Sequence, residues 1–243
     1  MDDYMEEFYS RTALLFGADG VRRLKSARVA VIGLGGVGSA AAESLARTGV
    51  GQLVLADGDR IAESNLNRQL FALRSTLGQL KTDAAAARIA DINPDCRVEK
   101  VSEFLGADSD FSFLHGCVYC LDAIDDVRAK LLLYQNCRAL GIPVIAAMGC
   151  GNRLDPAALA VTDVFSVTGC PLCRKIRHEL RKLGIDSLPV VASAEPPRRS
   201  ACSSGGSGQR VIASAAFVPN AAGLIMASAA VEKLCGEMFT NSP

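Results

Sequence analysis

Tryptophan is absent from this chain of 243 residues, and aromatic residues of all kinds make up only 5% of it. A core must therefore be built from Ala, Val, Leu and Ile, which suits a parallel sheet covered by helices. An excess of either charge is missing too. The 26 Lys and Arg balance the 26 Asp and Glu, which excludes a molecule-wide basic field and leaves any nucleic-acid contact to a local patch. There are two histidines, His115 and His178; they are isolated, and neither is assigned a catalytic role. The first residues, "MDDYMEEFYSR", are acidic and lack the apolar stretch of a signal peptide. Nine cysteines, an odd number, are too sparse for a disulfide scaffold, so a reduced, cytoplasmic protein is expected. A long unbroken apolar run is also lacking. The stretch from Val211 to Val231 is interrupted by Pro219, Asn220 and Gly223, and reads as a buried strand followed by a buried helix, not as a membrane span.

What is present is alternation. With 49% hydrophobic residues the chain can bury a full core. An amphipathic helix is expected around Asp3 to Phe16, followed by a strand at Val29–Ile32, a helix at Gly38–Thr48 and a strand at Gln52–Ala56. A helix from Lys81 to Asn93 stops before Pro94, and "CRVEKVSEF" alternates like an edge strand. "CVYCLDAID" and "IPVIAAMG" read as buried strands on either side of a helix from Val127 to Leu140. This order predicts an α/β fold, Rossmann-like and doubly wound, with a mostly parallel sheet and helices on both faces. The chain is read as a single domain, 1–243, with a nucleotide-binding half at 1–150. In the second half, 151–243, "NRLDPAALAVTDVFSV" is a hairpin or crossover, "PLCRKIRHELRKLG" a basic helix and "LPVVASAE" a strand. Residues 196–210, rich in Pro, Ser, Gly and Arg, form an expected mobile surface loop.

The segment "VIGLGGVGS" sets Gly33, Gly35 and Gly38 in a G-x-G-x-x-G pattern, with Gly36 added. Such a loop between strand and helix brings backbone N–H groups to a phosphate. Asp57 follows the second strand, where an acid would hold a ribose hydroxyl. These residues fit a redox dinucleotide about as well as ATP. Other positions separate the two. A triphosphate carries more charge than a helix terminus satisfies and is met by cations and a metal. Arg68, in "SNLNRQ", and Lys81 can supply the cations. "LDAIDD" crowds Asp122, Asp125 and Asp126 together, a pattern that favours a nearby cation such as Mg²⁺. The competing use for Asp125 is to cap the helix that begins at Val127.

Taken in order and spacing, "VIGLGGVGS", Asp57, "SNLNRQ", Lys81 and "DAIDD" resemble the ubiquitin-activating-enzyme-like (ThiF/MoeB-type) family of ATP-dependent adenylyltransferases. The resemblance implies that Gly33, Gly35, Gly36 and Gly38 hold ATP and Asp57 its ribose. It implies that Ser64, Asn65 and Arg68 line the phosphates, with Lys81 meeting them and Asp125 binding Mg²⁺. Arg11, in "FYSRTALLFG", matches an arginine that the family supplies from a neighbouring subunit, which implies a homodimer with composite sites. Arg11, Arg68, Lys81 and Asp125 would then be the catalytic set.

Branches of the family differ in whose carboxylate is adenylated. Sulfur-carrier-activating members commonly hold zinc with two C-x-x-C pairs. Here "CPLC" gives Cys170 and Cys173, and Cys202 stands alone, so a closed zinc site of four thiolates is not expected. Cys117 and Cys120 also read C-x-x-C, but as strand residues they would face opposite sides and serve as core. Beyond the nucleotide motifs, "RTGVGQLVLADGD", "INPDCRVE", "LDAIDDVRAK", "LDPAALAVTDV" and "VVASAEPPRR" resemble the branch that dehydrates threonylcarbamoyladenosine in tRNA. That implies ATP-dependent cyclisation of the modification through its adenylated carboxylate, a tRNA partner and possible docking of a sulfur-transfer protein. The cations of residues 174–182 and the pair Arg198 and Arg199 offer local positive charge for a tRNA backbone. A solvated helix face is the other reading of those charges.

Overall fold

The computed structural model describes residues 7–198 and 212–236. Seven strands form one sheet: β1 (Arg28–Ile32), β2 (Gln52–Ala56), β3 (Arg97–Val101), β4 (Tyr119–Asp122), β5 (Val144–Ala147), β6 (Leu159–Asp163) and β7 (Pro189–Ser193). Their order is β3-β2-β1-β4-β5-β7-β6, and every neighbouring pair is parallel except β6 with β7. Among the described residues six α-helices accompany them: α1 (Ser10–Ser26), α2 (Gly36–Thr48), α3 (Lys81–Ile92), α4 (Val127–Ala139), α5 (Pro171–Lys182) and α6 (Phe217–Cys235). β1, β2, β4 and β5 are buried along almost their whole length, as strands covered on both faces must be, whereas β3 shows the half-exposed pattern of an edge. The strand order reverses between β1 and β4, and open α/β sheets leave a crevice at the carboxyl edge of such a reversal.

Three expectations need correction. No strand precedes α6: residues 212–215 are irregular, Ile212 is 69% exposed, and the helix begins at Phe217. Pro219 and Asn220 fall in its first turn, where a missing N–H costs nothing. Gly223 lies where α6 crosses α2, and any side chain there would run into the Val37 carbonyl. The residues that looked like interruptions are thus the ones that let α6 start and pack. Second, the N-terminal helix runs past Phe16 to Ser26, broken at Gly17 by φ 70° and ψ 171°; residues 1–6 lie outside the described part. Third, Cys117 and Cys120 do not face opposite sides. Cys117 precedes β4, so strand alternation does not reach it, and both sulfurs join Cys137 in one apolar cluster.

α6 is buried on two rows, Val218–Ala222–Met226–Ala230 and Pro219–Gly223–Ala227–Val231, the i, i+4 spacing of a helix embedded in a core. It packs with α2 and the ends of β4 and β5 in the largest apolar cluster. Among the described residues no helix is long and apolar enough to cross a membrane.

Candidate active site

The crevice predicted by the strand order is a cavity of about 760 Å³ at the carboxyl edge of the sheet. Its wall is assembled from the turns after β1, β2, β4 and β5, with contributions from residues 65–69 and the start of α6. The turn after β1 is the glycine loop. Gly33 sits at φ +89°, and a Cβ there would come within 2.7 Å of the Ala123 oxygen in the turn after β4. Only glycine meets both demands, so the two turns that frame the reversal can touch. Gly35 begins α2 with no side-chain cap, leaving the first N–H groups of the helix open to an anion. Gly38 packs directly behind, against the Gly33 carbonyl.

Asp57, at the end of β2, holds this loop in place. One carboxylate oxygen accepts from the Leu34 N–H at 2.7 Å and the other from the Asp59 N–H at 2.8 Å. A carboxylate has about four lone-pair positions, so room remains for a ribose hydroxyl. Lys81, the first residue of α3, is 5% exposed; its Nζ lies 2.6 Å from Asp59 and 3.4 Å from Asp57. Two carboxylates thus hold a buried cation at the cavity wall. Across from it, Arg68 donates to the Ser64 carbonyl at 2.9 Å and to Asn67 Oδ1 at 2.8 Å. Asn65 closes the turn that carries Arg68 by accepting from the Ala62 N–H at 3.0 Å.

The three acids of "LDAIDD" have three different fates. Asp122 is wholly buried and paired with wholly buried Lys130 at 2.8 Å. It also accepts from the Tyr134 hydroxyl at 2.5 Å and from the Ile124 N–H at 3.0 Å. Burial, and then the Asp122 charge, raise the Tyr134 hydroxyl well above the ordinary tyrosine range, so it stays a donor. Asp126 caps α4, accepting from the Ala129 N–H at 2.8 Å. Asp125 is therefore not the cap. It is exposed, lines the cavity and has no partner among the described residues.

One cavity wall thus gathers Gly33, Gly35, Gly36, Asp57, Asn65, Arg68, Lys81 and Asp125. Gly38 stands behind the loop. Ser64 is exposed and outside the wall, contributing only the carbonyl that holds Arg68. Arg11 is exposed on α1, also outside this wall. Arg199 and Cys202 lie outside the described residues. Two contributors were missed in the sequence. Lys130 falls with Leu133, Tyr134 and Cys137 on the buried stripe of α4; a lysine at that phase signals a buried partner. Asn220, with its amide turned to donate, bridges the Arg68 carbonyl at 2.9 Å and the Gly36 carbonyl at 2.7 Å. No local pattern announces that contact.

A glycine loop at a strand reversal, an acid on β2, two cations and an unpaired carboxylate in one cavity suit a nucleotide triphosphate better than a dinucleotide. Comparison with known proteins agrees: the model of the ThiF family matches residues 9–242. The chain belongs to the ThiF family. It is 41% identical to the tRNA threonylcarbamoyladenosine dehydratase of Bacillus subtilis, over 90% of this chain and 91% of that protein. Crystal structures of the Escherichia coli tRNA N6-threonylcarbamoyladenosine dehydratase, TcdA, in complex with AMP and with ATP, superpose with TM-scores of 0.87 and 0.86 at 34% identity, covering 96% of both chains. Another ThiF-like relative, the molybdopterin-synthase adenylyltransferase of Salmonella typhimurium, is 40% identical, but the match spans 60% of this chain and 59% of that protein.

The Asp122–Lys130 pair is testable apart from function. Lys130→Met should destabilise the protein by about 3–5 kcal/mol, because it strands a buried carboxylate. Asp122→Asn combined with Lys130→Met should recover much of the loss. Urea unfolding of the four-member cycle measures both; equal costs for the single and double variants would refute the pairing.

Proposed function

We propose that this ThiF-family chain is a tRNA threonylcarbamoyladenosine dehydratase, which uses ATP to cyclise the threonylcarbamoyl group on a tRNA adenosine. The observation that carries the reading is the reach of the likeness. The dehydratase of Bacillus subtilis corresponds over about nine-tenths of both chains, whereas the molybdopterin-synthase adenylyltransferase corresponds over 60% of this one. The alternative, adenylation of the C-terminal glycine of a sulfur carrier, rests on that shorter match.

In this reaction the threonylcarbamoyl carboxylate attacks the α-phosphorus of ATP. An acyl–phosphate bond forms as the bond to pyrophosphate breaks. An internal nucleophile of the same modification then attacks the acyl carbon, closing the ring and releasing AMP, so that water is removed overall. The protein contributes position and countercharge. The open start of α2 and the flexible reach of Arg68 address the phosphates. Lys81, oriented by Asp59 and Asp57, faces the same charge, and Asp57 takes the ribose. Mg²⁺ fits Asp125, an unpaired carboxylate on the cavity wall. No cluster of three or more His, Cys, Asp or Glu is available to a metal among the described residues, so the nucleotide phosphates would complete the shell, as is usual for this ion. When bound, Mg²⁺ supplies neutralisation of phosphate charge.

The tRNA contact is assigned to a groove of about 620 Å³ between α4 and α5. Arg128, Arg174 and Lys175 line it without partners among the described residues, and its one acid, Glu179, is paired with Lys182 at 2.8 Å. The groove starts at Val127, two residues beyond Asp125, so a backbone gripped there passes the cavity mouth. The dimer is supported by α1. Beside Arg11, which does not reach its own chain's cavity, Leu14 and Leu15 are 86% and 58% exposed, an apolar face that a second copy would cover. A tRNA-modifying activity supports a cytoplasmic location, where tRNA is used.

Incubation with threonylcarbamoyl-modified tRNA, ATP and Mg²⁺ should yield a nucleoside lighter by one water and AMP in equal amount; tRNA-independent AMP release, or none, refutes the function. Asp125→Ala should abolish turnover while leaving stability within about 0.5 kcal/mol, and a folded, active variant refutes the metal role. Arg174→Ala with Lys175→Ala should weaken tRNA binding and flatten its salt dependence by about 0.7–0.9 per cation removed, with ATP affinity unchanged; an unaltered slope removes the groove from the tRNA path. Inactive Arg11→Ala and Lys81→Ala proteins, mixed, should regain activity, because one site of the mixed dimer is then whole. No recovery counts against Arg11 acting across the dimer.

A further inference from the structure

The "CPLC" segment is used by none of the chemistry above. Its two cysteines open α5: Cys170 is the N-cap, Pro171 the first helical residue, and the Cys170 sulfur accepts from the Cys173 N–H at 3.5 Å. The Cys173 thiol donates to the same sulfur, as do the backbone N–H groups of Gly149 and Leu172. These donors, at the positive end of a helix, pull the Cys170 thiol down to about 5 and push that of Cys173 up, so the pair is a thiolate beside a thiol. Burial acts the other way on Cys96 and Cys150, both raised to about 11. Cys170 and Cys173 share the first turn of α5, and the 3.5 Å contact brings the Cys170 sulfur onto the backbone of Cys173. Both side chains belong to the same apolar cluster at the start of α5, so the bridge would span a single turn.

Position links the pair to the cavity. Gly149 and Leu172 line the nucleotide cavity, and the Cys170 sulfur lies directly behind Gly149; a Cβ on that glycine would be 3.9 Å from it. Cys170 is 5% exposed and Cys173 not at all, so the outer surface offers almost no approach. Neither sulfur is part of the cavity wall, and the thinnest cover lies on that side, where Gly149 presents no side chain and the Arg153 guanidinium stands beside the Cys170 sulfur.

We propose that Cys170 and Cys173 form a reversible disulfide site, oxidised by a hydroperoxide through the cavity and coupled to nucleotide binding. The Cys170 thiolate attacks the peroxide: an S–O bond forms, the O–O bond breaks, and the departing alkoxide or hydroxide takes up a proton. Cys173 then attacks the sulfenic sulfur, its proton leaving with the displaced oxygen as water. Two thiols and one hydroperoxide give a disulfide, an alcohol or water, and a second water; an external dithiol then reduces the disulfide to two thiols and is itself oxidised to a disulfide. The disulfide removes the thiolate that draws in the Gly149 and Leu172 N–H groups, which loosens that part of the wall. Bound nucleotide in turn covers Gly149. Oxidation and ATP binding therefore oppose each other, and reciprocally so. This coupling rests on the cavity being the ATP site.

The test treats the full chain with hydrogen peroxide, with and without ATP, then alkylates, digests and weighs the peptide carrying both cysteines. The expected result is loss of two hydrogens from that peptide, slowed by ATP, absent in Cys170→Ser, and stopped at a trappable sulfenic acid in Cys173→Ser. ATP affinity should fall by about fivefold or more on oxidation and return with dithiothreitol, while the Cys170→Ser/Cys173→Ser protein shows no response. Free thiols after peroxide, or a disulfide to another cysteine, overturn the site. A disulfide that forms at the same rate with ATP and leaves ATP affinity unchanged overturns the coupling. Failure of the reduced protein to bind ATP would overturn the nucleotide reading instead, and mass analysis still reports the disulfide in that case.

Discussion

Asp122 and Lys130 are both wholly buried, and removing two opposite charges from water costs several kcal/mol per ion unless their remaining valences are met. Here they are met. Tyr134 and the Ile124 N–H complete Asp122, and the Ala147 carbonyl accepts from Lys130 at 3.1 Å. Those partners come from the end of β4, the body of α4 and the end of β5. The pair therefore sets the spacing of the three elements that form one side of the cavity. The turn that carries Asp125 is pinned at Asp122 before it and at Asp126, the cap, after it. Of the two acids of that turn on the cavity wall, Asp125 is the one without a partner among the described residues.

The opposite side is held by a second economy of charge. Lys81 is buried against Asp59 and Asp57, and Asp57 spends its other bonds on the backbone of the glycine loop and of its own turn. The cation that would meet a phosphate and the acid that would meet a ribose are locked to each other before ligand arrives. Preorganisation of this kind lowers the cost of fixing polar groups on binding. It also explains why the segment from Ala62 to Leu80 needs little regular structure: the isolated bridge of Arg60 with Leu80 and the turn closed by Asn65 suffice to present Arg68.

Much of this was legible in the sequence because it is local. A glycine loop between strand and helix, an acid after the next strand and acids at the end of the fourth strand are spaced by covalent geometry, and the sheet brings their turns to one edge. Contacts made across long stretches of chain were not legible. Asn220 reaches Gly36 only because α6 folds back over α2, and Pro219 and Gly223 read as breaks because their neighbours in space were hidden. The division of labour among Asp122, Asp125 and Asp126 likewise depended on Lys130, whose partner is buried eight residues earlier. Arg11 and Ser64 had meaning only through resemblance, and neither lies in the wall of the cavity.

The bridge from Asn220 to the glycine loop joins α6 to the turn after β1. During synthesis the glycine loop, β1 and α2 are made about 170 residues before α6 begins. Until then the face of α2 that receives Gly223, Ala227 and Val231 is bare, and Gly36 and Arg68 lack the amide that ties them together. The nascent nucleotide half thus stays incomplete, with an apolar surface open to solvent, through most of translation. It becomes a site only when the final helix closes over it.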